Sequence, residues 1–274
     1  MKKVLLAFDG EQFSPDLVAF VNQIHLYQPL HAVGLFLPTV EYAELLYSFS
    51  VVPSGPLLVS EVVLANDAIV QQNMTRFREM CAEAGIECTA RRQPARNIAD
   101  LLHEETRFAD LLVLSSNSFY DNAGADTRED YIENVLHGAE CPVILLPETY
   151  REPKNIILTY DGGGQSAFAI KQFSYLFPRS GDLNALLVYF SENDSDMPLR
   201  HEVQELLACH FRRFTVTKVD IRNEEDIEKW MLAHSDPMLV AGAYGRRTFS
   251  DLFKKGFISD IVRHHKMPIF VAHK

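Results

Sequence analysis

Lys3-Val-Leu-Leu-Ala-Phe-Asp9-Gly10 and Asn155-Ile-Ile-Leu-Thr-Tyr-Asp161-Gly162 are one pattern written twice, 152 residues apart. Each is an apolar run long enough for a strand, stopped by an Asp-Gly pair suited to a turn. The ends of the two halves match as well. Cys141-Pro-Val-Ile-Leu-Leu aligns with Met267-Pro-Ile-Phe-Val-Ala, and Asp110-Leu-Leu-Val-Leu-Ser with Asp236-Pro-Met-Leu-Val-Ala, both 126 residues apart. The halves therefore repeat one unit. The spacing shortens by 26 residues between the early and late matches, so the first copy carries an extra stretch, placed at residues 38–60.

Within each copy, short Val/Ile/Leu-rich runs alternate with longer amphipathic stretches, the mark of a mainly parallel sheet covered on both faces. The expected fold class is α/β, with two tandem open parallel five-stranded sheets and helices on both faces, a Rossmann-like arrangement. Strands are expected near 3–9, 31–37, 86–91, 110–115 and 142–147, then near 155–160, 183–190, 214–219, 237–241 and 268–272. Helices are expected near 14–28, 62–84, 97–107 and 128–139, then near 165–177, 199–211, 224–233 and 257–265. Polar, proline-bracketed Pro147-Glu-Thr-Tyr-Arg-Glu-Pro153 is the expected linker. It divides the chain into domains 1–148 and 149–274.

The 274 residues are 47% hydrophobic and 23% charged, ordinary for a water-soluble chain. No window approaches the roughly 18 uninterrupted apolar residues of a membrane helix, and the opening MKKVLLAFDG reaches an acidic residue too soon for a signal peptide. The expected compartment is the cytoplasm, with no membrane partner. Cys81, Cys88, Cys141 and Cys209 lack the short paired spacings of zinc or redox motifs, so they are expected as reduced, mostly buried thiols.

A net charge of −11 disfavours nucleic acid as a partner. The charge is uneven. Residues 1–150 hold 9 Lys and Arg against 21 Asp and Glu, and residues 151–274 hold 17 against 16. Arg246, Arg247, Lys254, Lys255, Arg263, Lys266 and Lys274 cluster near the end, where an anionic ligand would be favoured. Glycine-rich strand ends lie in the same half: Asp161-Gly-Gly-Gly-Gln-Ser166 and Gly242-Ala-Tyr-Gly245. In an open parallel sheet such ends lead into helix N-termini that suit phosphate. The plainer reading is that each glycine only makes a turn.

An opening strand ending in Asp-Gly, a late strand running into Gly-x2-Gly, a further glycine and a terminal x-Pro-hydrophobic strand occur here in that order, twice over. In this the chain resembles the universal stress protein family, whose fold is like that of the adenine nucleotide alpha hydrolases. The resemblance implies a stress-response or regulatory protein without catalysis, binding ATP or AMP in its second domain. It would place Asp161 beside base and ribose, Ala241, Gly242 and Gly245 along the entry, and Gly256, Phe257 and Ile258 at the phosphates; beside it, the Gly162 backbone N–H and the Arg246 side chain offer further phosphate contacts. It also implies an intramolecular pseudo-dimer of the two domains, through strands 142–147 and 268–272, and a homodimer as a further partner state.

The second copy departs from the family's Gly-x2-Gly-x9-Gly-Ser/Thr. Ten residues separate Gly245 from Gly256, and Phe257 stands where the phosphate-binding hydroxyl is expected. Ser259, two places on, points roughly 200° around a helix from that position. In the first copy Ser116, Phe119 and Asp130 replace the three glycines, and a carboxylate repels phosphate. Two alternatives to nucleotide sensing stay open: an interaction module whose nucleotide sites have decayed, and a slow nucleotide hydrolase. Against the last, there is no Gly-x-Ser-x-Gly elbow, no metal-ligand set among the ten histidines, and no activated cysteine. The apolar stretch after Pro38, with Tyr42, Leu46 and Phe49, reads either as a flap over the first crevice or as an association patch.

Overall fold

The computed structural model describes residues 1–10, 12–37, 55–93, 98–115, 135–147, 149–191, 196–220, 230, 234–242 and 267–272. The elements of the first half are β1 (Lys2–Asp9), α1 (Pro15–His25), β2 (Leu30–Leu37), α2 (Gly55–Glu83), β3 (Glu87–Arg92), α3 (Ile98–Thr106), β4 (Leu111–Ser115) and β5 (Val143–Leu146). The second half holds β6 (Asn155–Tyr160), α4 (Gly164–Leu176), a 3-10 turn (Pro178–Asp182), β7 (Asn184–Ser191), α5 (Arg200–His210), β8 (Arg213–Asp220), β9 (Pro237–Gly242) and β10 (Ile269–Ala272).

Local chemistry accounts for these elements. Helix α1 opens on Pro15 at a position whose N–H has no helical partner, with Asp16 in its first turn. Its buried residues Leu17, Val18, Phe20, Val21 and Ile24 form one stripe at helical spacing. Strands β4, β5, β9 and β10 are buried at every residue, as strands covered on both faces must be.

The strands form one sheet in the order β3-β2-β1-β4-β5-β10-β9-β6-β7-β8. The two expected five-stranded sets are joined edge to edge into this one sheet. Within each half all pairs are parallel, and β5 meets β10 antiparallel, with Leu145 opposite Ile269, Ile144 opposite Phe270 and Val143 opposite Val271. The cause is the apolar character of both strands. An open edge at either would expose unpaired backbone groups beside side chains that need cover, and pairing removes both costs.

Alternation along the strands sorts side chains into two layers. Val4, Leu6 and Phe8 join one core with α1, α2, α4 and α5, while Leu5 and Ala7 join the other with Leu101 and Leu102 of α3. Each layer runs through both halves: the first from Val4 to Phe270, the second from Leu5 to Ile269. One boundary differs from expectation. Helix α2 begins at Gly55, so residues 55–60 of the extra stretch are helical; Pro56, in the first turn, costs no backbone bond. Residues 38–54, with Tyr42, Leu46 and Phe49, lie outside the described residues.

Candidate functional site

Strand β6 stops at Tyr160, and Asp161 takes over the start of α4. Its Oδ1 accepts the Gly163 N–H at 2.8 Å and lies 2.7 Å from Ser166 Oγ, whose single proton it shares with the Gly163 carbonyl oxygen at 3.0 Å. A carboxylate that satisfies an N–H at the head of a helix also complements the helix dipole. Gly162 adopts φ +76°, and a Cβ there would meet Pro198 at 2.8 Å. Gly242, the last residue of β9, lies so close to α4 that a Cβ would come within 2.6 Å of the Gln165 carbonyl carbon and 2.7 Å of the Ser166 nitrogen. Both glycines are thus demanded by the backbone. At Gly164, by contrast, a Cβ would meet nothing within 4 Å among the described residues. Tyr160 caps the arrangement by donating its hydroxyl to the Pro198 carbonyl at 3.1 Å; burial, then the charges of Asp161 and Glu202, push that phenol's pKa up and keep it a donor.

Asp161, Gly162, Ala241 and Gly242 therefore come together where β6 and β9, neighbours in the sheet, meet α4. Gly245, Arg246, Gly256, Phe257, Ile258 and Ser259 lie outside the described residues.

The equivalent place in the first half is filled. Gly10 donates its N–H to the Leu37 carbonyl at 2.7 Å, and the buried Asn73 amide donates to the Gly10 carbonyl at 2.9 Å. Phe8 stacks on Phe13 and Phe36 at 5.1 and 5.0 Å and meets the edge of Phe77 at 5.7 Å. The Arg76 guanidinium lies over Phe13 at 5.0 Å. Val70, Asn73 and Phe77 were missed as site-closing residues by sequence reasoning. The signal was present, because Val70, Met74, Phe77 and Cys81 recur at helical spacing and are all buried. What they cover depends on the fold. Ser116, Phe119 and Asp130 lie outside the described residues.

Cys81 and Cys141 are buried, Cys209 is exposed and Cys88 lies between. Burial pushes the Cys81 and Cys141 thiols up to about 12. Among the described residues no group of three or more His, Cys, Asp or Glu is placed to hold a metal, and no helix is long and apolar enough to cross a membrane.

No protein-family model and no curated protein matches this sequence. Solved structures do. All of the chain aligns with 96% of a universal stress protein from Archaeoglobus fulgidus DSM 4304, at a TM-score of 0.68 and 11% identity. The fold is that of a universal stress protein. A functionally unknown protein from Pseudomonas aeruginosa PAO1 aligns over 92% of its length with all of this chain, at a TM-score of 0.53 and 12% identity. Identities this low carry the fold alone. The universal stress fold places the carboxyl ends of β6 and β9 beside the head of α4, the crevice of an open parallel sheet.

Proposed function

We propose that the chain is a tandem universal-stress-type protein with a non-catalytic, regulatory role in the cytoplasm, in which the second half alone takes an adenine nucleotide, ATP or AMP. The observation that supports it is room at the Asp161 strand end: among the described residues a Cβ at Gly164, in the first turn of α4, would meet nothing within 4 Å, while Val70 and Asn73 lie against Gly10 at the first strand end. In this reading Asp161 and Gly162 face base and ribose, and Ala241 and Gly242 floor the crevice. Gly245 follows, Gly256, Phe257 and Ile258 meet the phosphates, and Arg246 adds charge for them. The two halves act as a pseudo-dimer in one molecule.

A second reading has its own support. Asp161 already serves the head of α4 and Gly242 is required by packing, so both residues suit a protein whose nucleotide site has decayed and which acts through its surfaces. Calorimetric titration of the full chain with ATP and AMP, beside Gly245→Asp, separates them. The nucleotide reading expects binding tighter than about 1 mM, weakened at least about tenfold when a carboxylate enters the phosphate loop. No nucleotide binding below that concentration overturns it in favour of the interaction module.

A further inference from the structure

At the opposite end of the strands, about 16 Å from Asp161 along β6, the two halves leave a cavity of about 200 Å³ that is partly open to solvent. Its floor is Ile156 and Met238, near the starts of β6 and β9. Its walls come from both halves: Phe20 and Ile24 of α1 and Tyr27 just beyond it line the cavity with Phe173 and Phe177, and with Tyr150 of the linker.

We propose that this cavity binds a small aromatic carboxylate of about the size of benzoate. An apolar cavity of about 150 Å³ accepts benzene, so the volume suits one ring with a substituent. Aromatic walls offer a ring both edges and faces. Two polar groups of the walls are engaged: the Tyr150 hydroxyl donates to Gln23 Oε1 at 2.6 Å, and the Gln28 amide donates to the Leu176 carbonyl at 2.7 Å. A ligand body placed against them must therefore be apolar.

At the mouth stands Arg179, the cavity's cationic lining residue, its guanidinium 4.1 Å from the centroid of the Tyr27 ring. Stacking there holds the planar fork in orientation, and such a fork matches a carboxylate with two parallel hydrogen bonds. Of the two acidic lining residues, Asp182 is paired to Arg212 at 2.9 Å, and Glu152 is exposed on the linker. A ligand seated between α1 and α4 touches both halves and so braces one against the other.

The test is calorimetric titration of the full chain with sodium benzoate and with benzyl alcohol, its neutral analogue. Arg179→Gln and Leu183→Phe are titrated in parallel, the latter adding bulk at a lining position. Benzoate is expected to bind below about 10 mM, about tenfold or more tighter than benzyl alcohol. Arg179→Gln is expected to erase that preference, and Leu183→Phe to weaken both ligands. AMP is expected to leave benzoate affinity unchanged, which keeps this site's outcome separate from that of the nucleotide crevice. Absence of benzoate binding overturns the proposal, as does binding that neither variant alters. Equal affinity for the two probes overturns the carboxylate assignment. Arg179 is exposed, so its substitution leaves the fold intact and carries the test even if Leu183→Phe fails to fold.

Discussion

Two glycines on either side of the contact between β9 and the head of α4 behave in opposite ways. At Gly242 an added methyl group would press on backbone atoms of Gln165 and Ser166, which cannot swing aside as a side chain does. Gly242→Ala is therefore expected to cost about 1–3 kcal/mol, as overpacking does, seen as a lower urea midpoint at unchanged slope. Gly164→Ala meets no described residue within 4 Å in the first turn of a helix, and is expected to be neutral or to stabilise by up to about 1 kcal/mol. The motif Asp161-Gly-Gly-Gly was legible as a strand-end turn. Which of its glycines obeys the backbone, and which leaves room for a ligand, was not. That depends on β9 and Pro198, residues far away in sequence.

Among the elements, β5 and β10 decide the architecture. The sequence marks both as buried strands, since each is a continuous apolar run after proline. Their antiparallel pairing is a long-range choice that hydrophobic periodicity cannot encode, because a run buried on both faces looks alike in every neighbourhood. Helix α2 shows the same limit at its start: no periodicity separates residues 55–60 from the inserted stretch before them. Ile269→Pro places a residue without an N–H in the middle of the ten-strand order. Wild type is expected to melt in one transition. The variant is expected to melt in two, or to lose its first half and second half at separate denaturant midpoints, by calorimetry and circular dichroism.

The whole molecule is held at its centre by more than the sheet. Phe20 meets Tyr150 edge to face at 5.3 Å, and Lys2 donates to the Tyr175 carbonyl at 2.8 Å across the joint. Burial, and then the charge of Glu152, pushes the Tyr150 phenol above the ordinary tyrosine value. The folded protein therefore keeps a proton that the unfolded chain releases near pH 10, and the associated stability is full below that pH and falls as pH rises above it. Tyr150→Phe is expected to lose about 1 kcal/mol at pH 7 with the Gln23 hydrogen bond, and to show a shallower decline than wild type between pH 9 and 11. Urea midpoints across that range measure both effects. None of this joint was visible as a joint in the sequence, where residues 147–153 read only as a polar link.

The presence of β5 and β10 on one chain, 122 residues apart, also settles a matter of stoichiometry. Two such strands on separate molecules would meet at a rate and extent set by protein concentration, but here each carries its mate on the same chain, at an effective concentration that dilution does not change. Every molecule contains one first half and one second half, and a like pair would have to open the sheet at its middle to form.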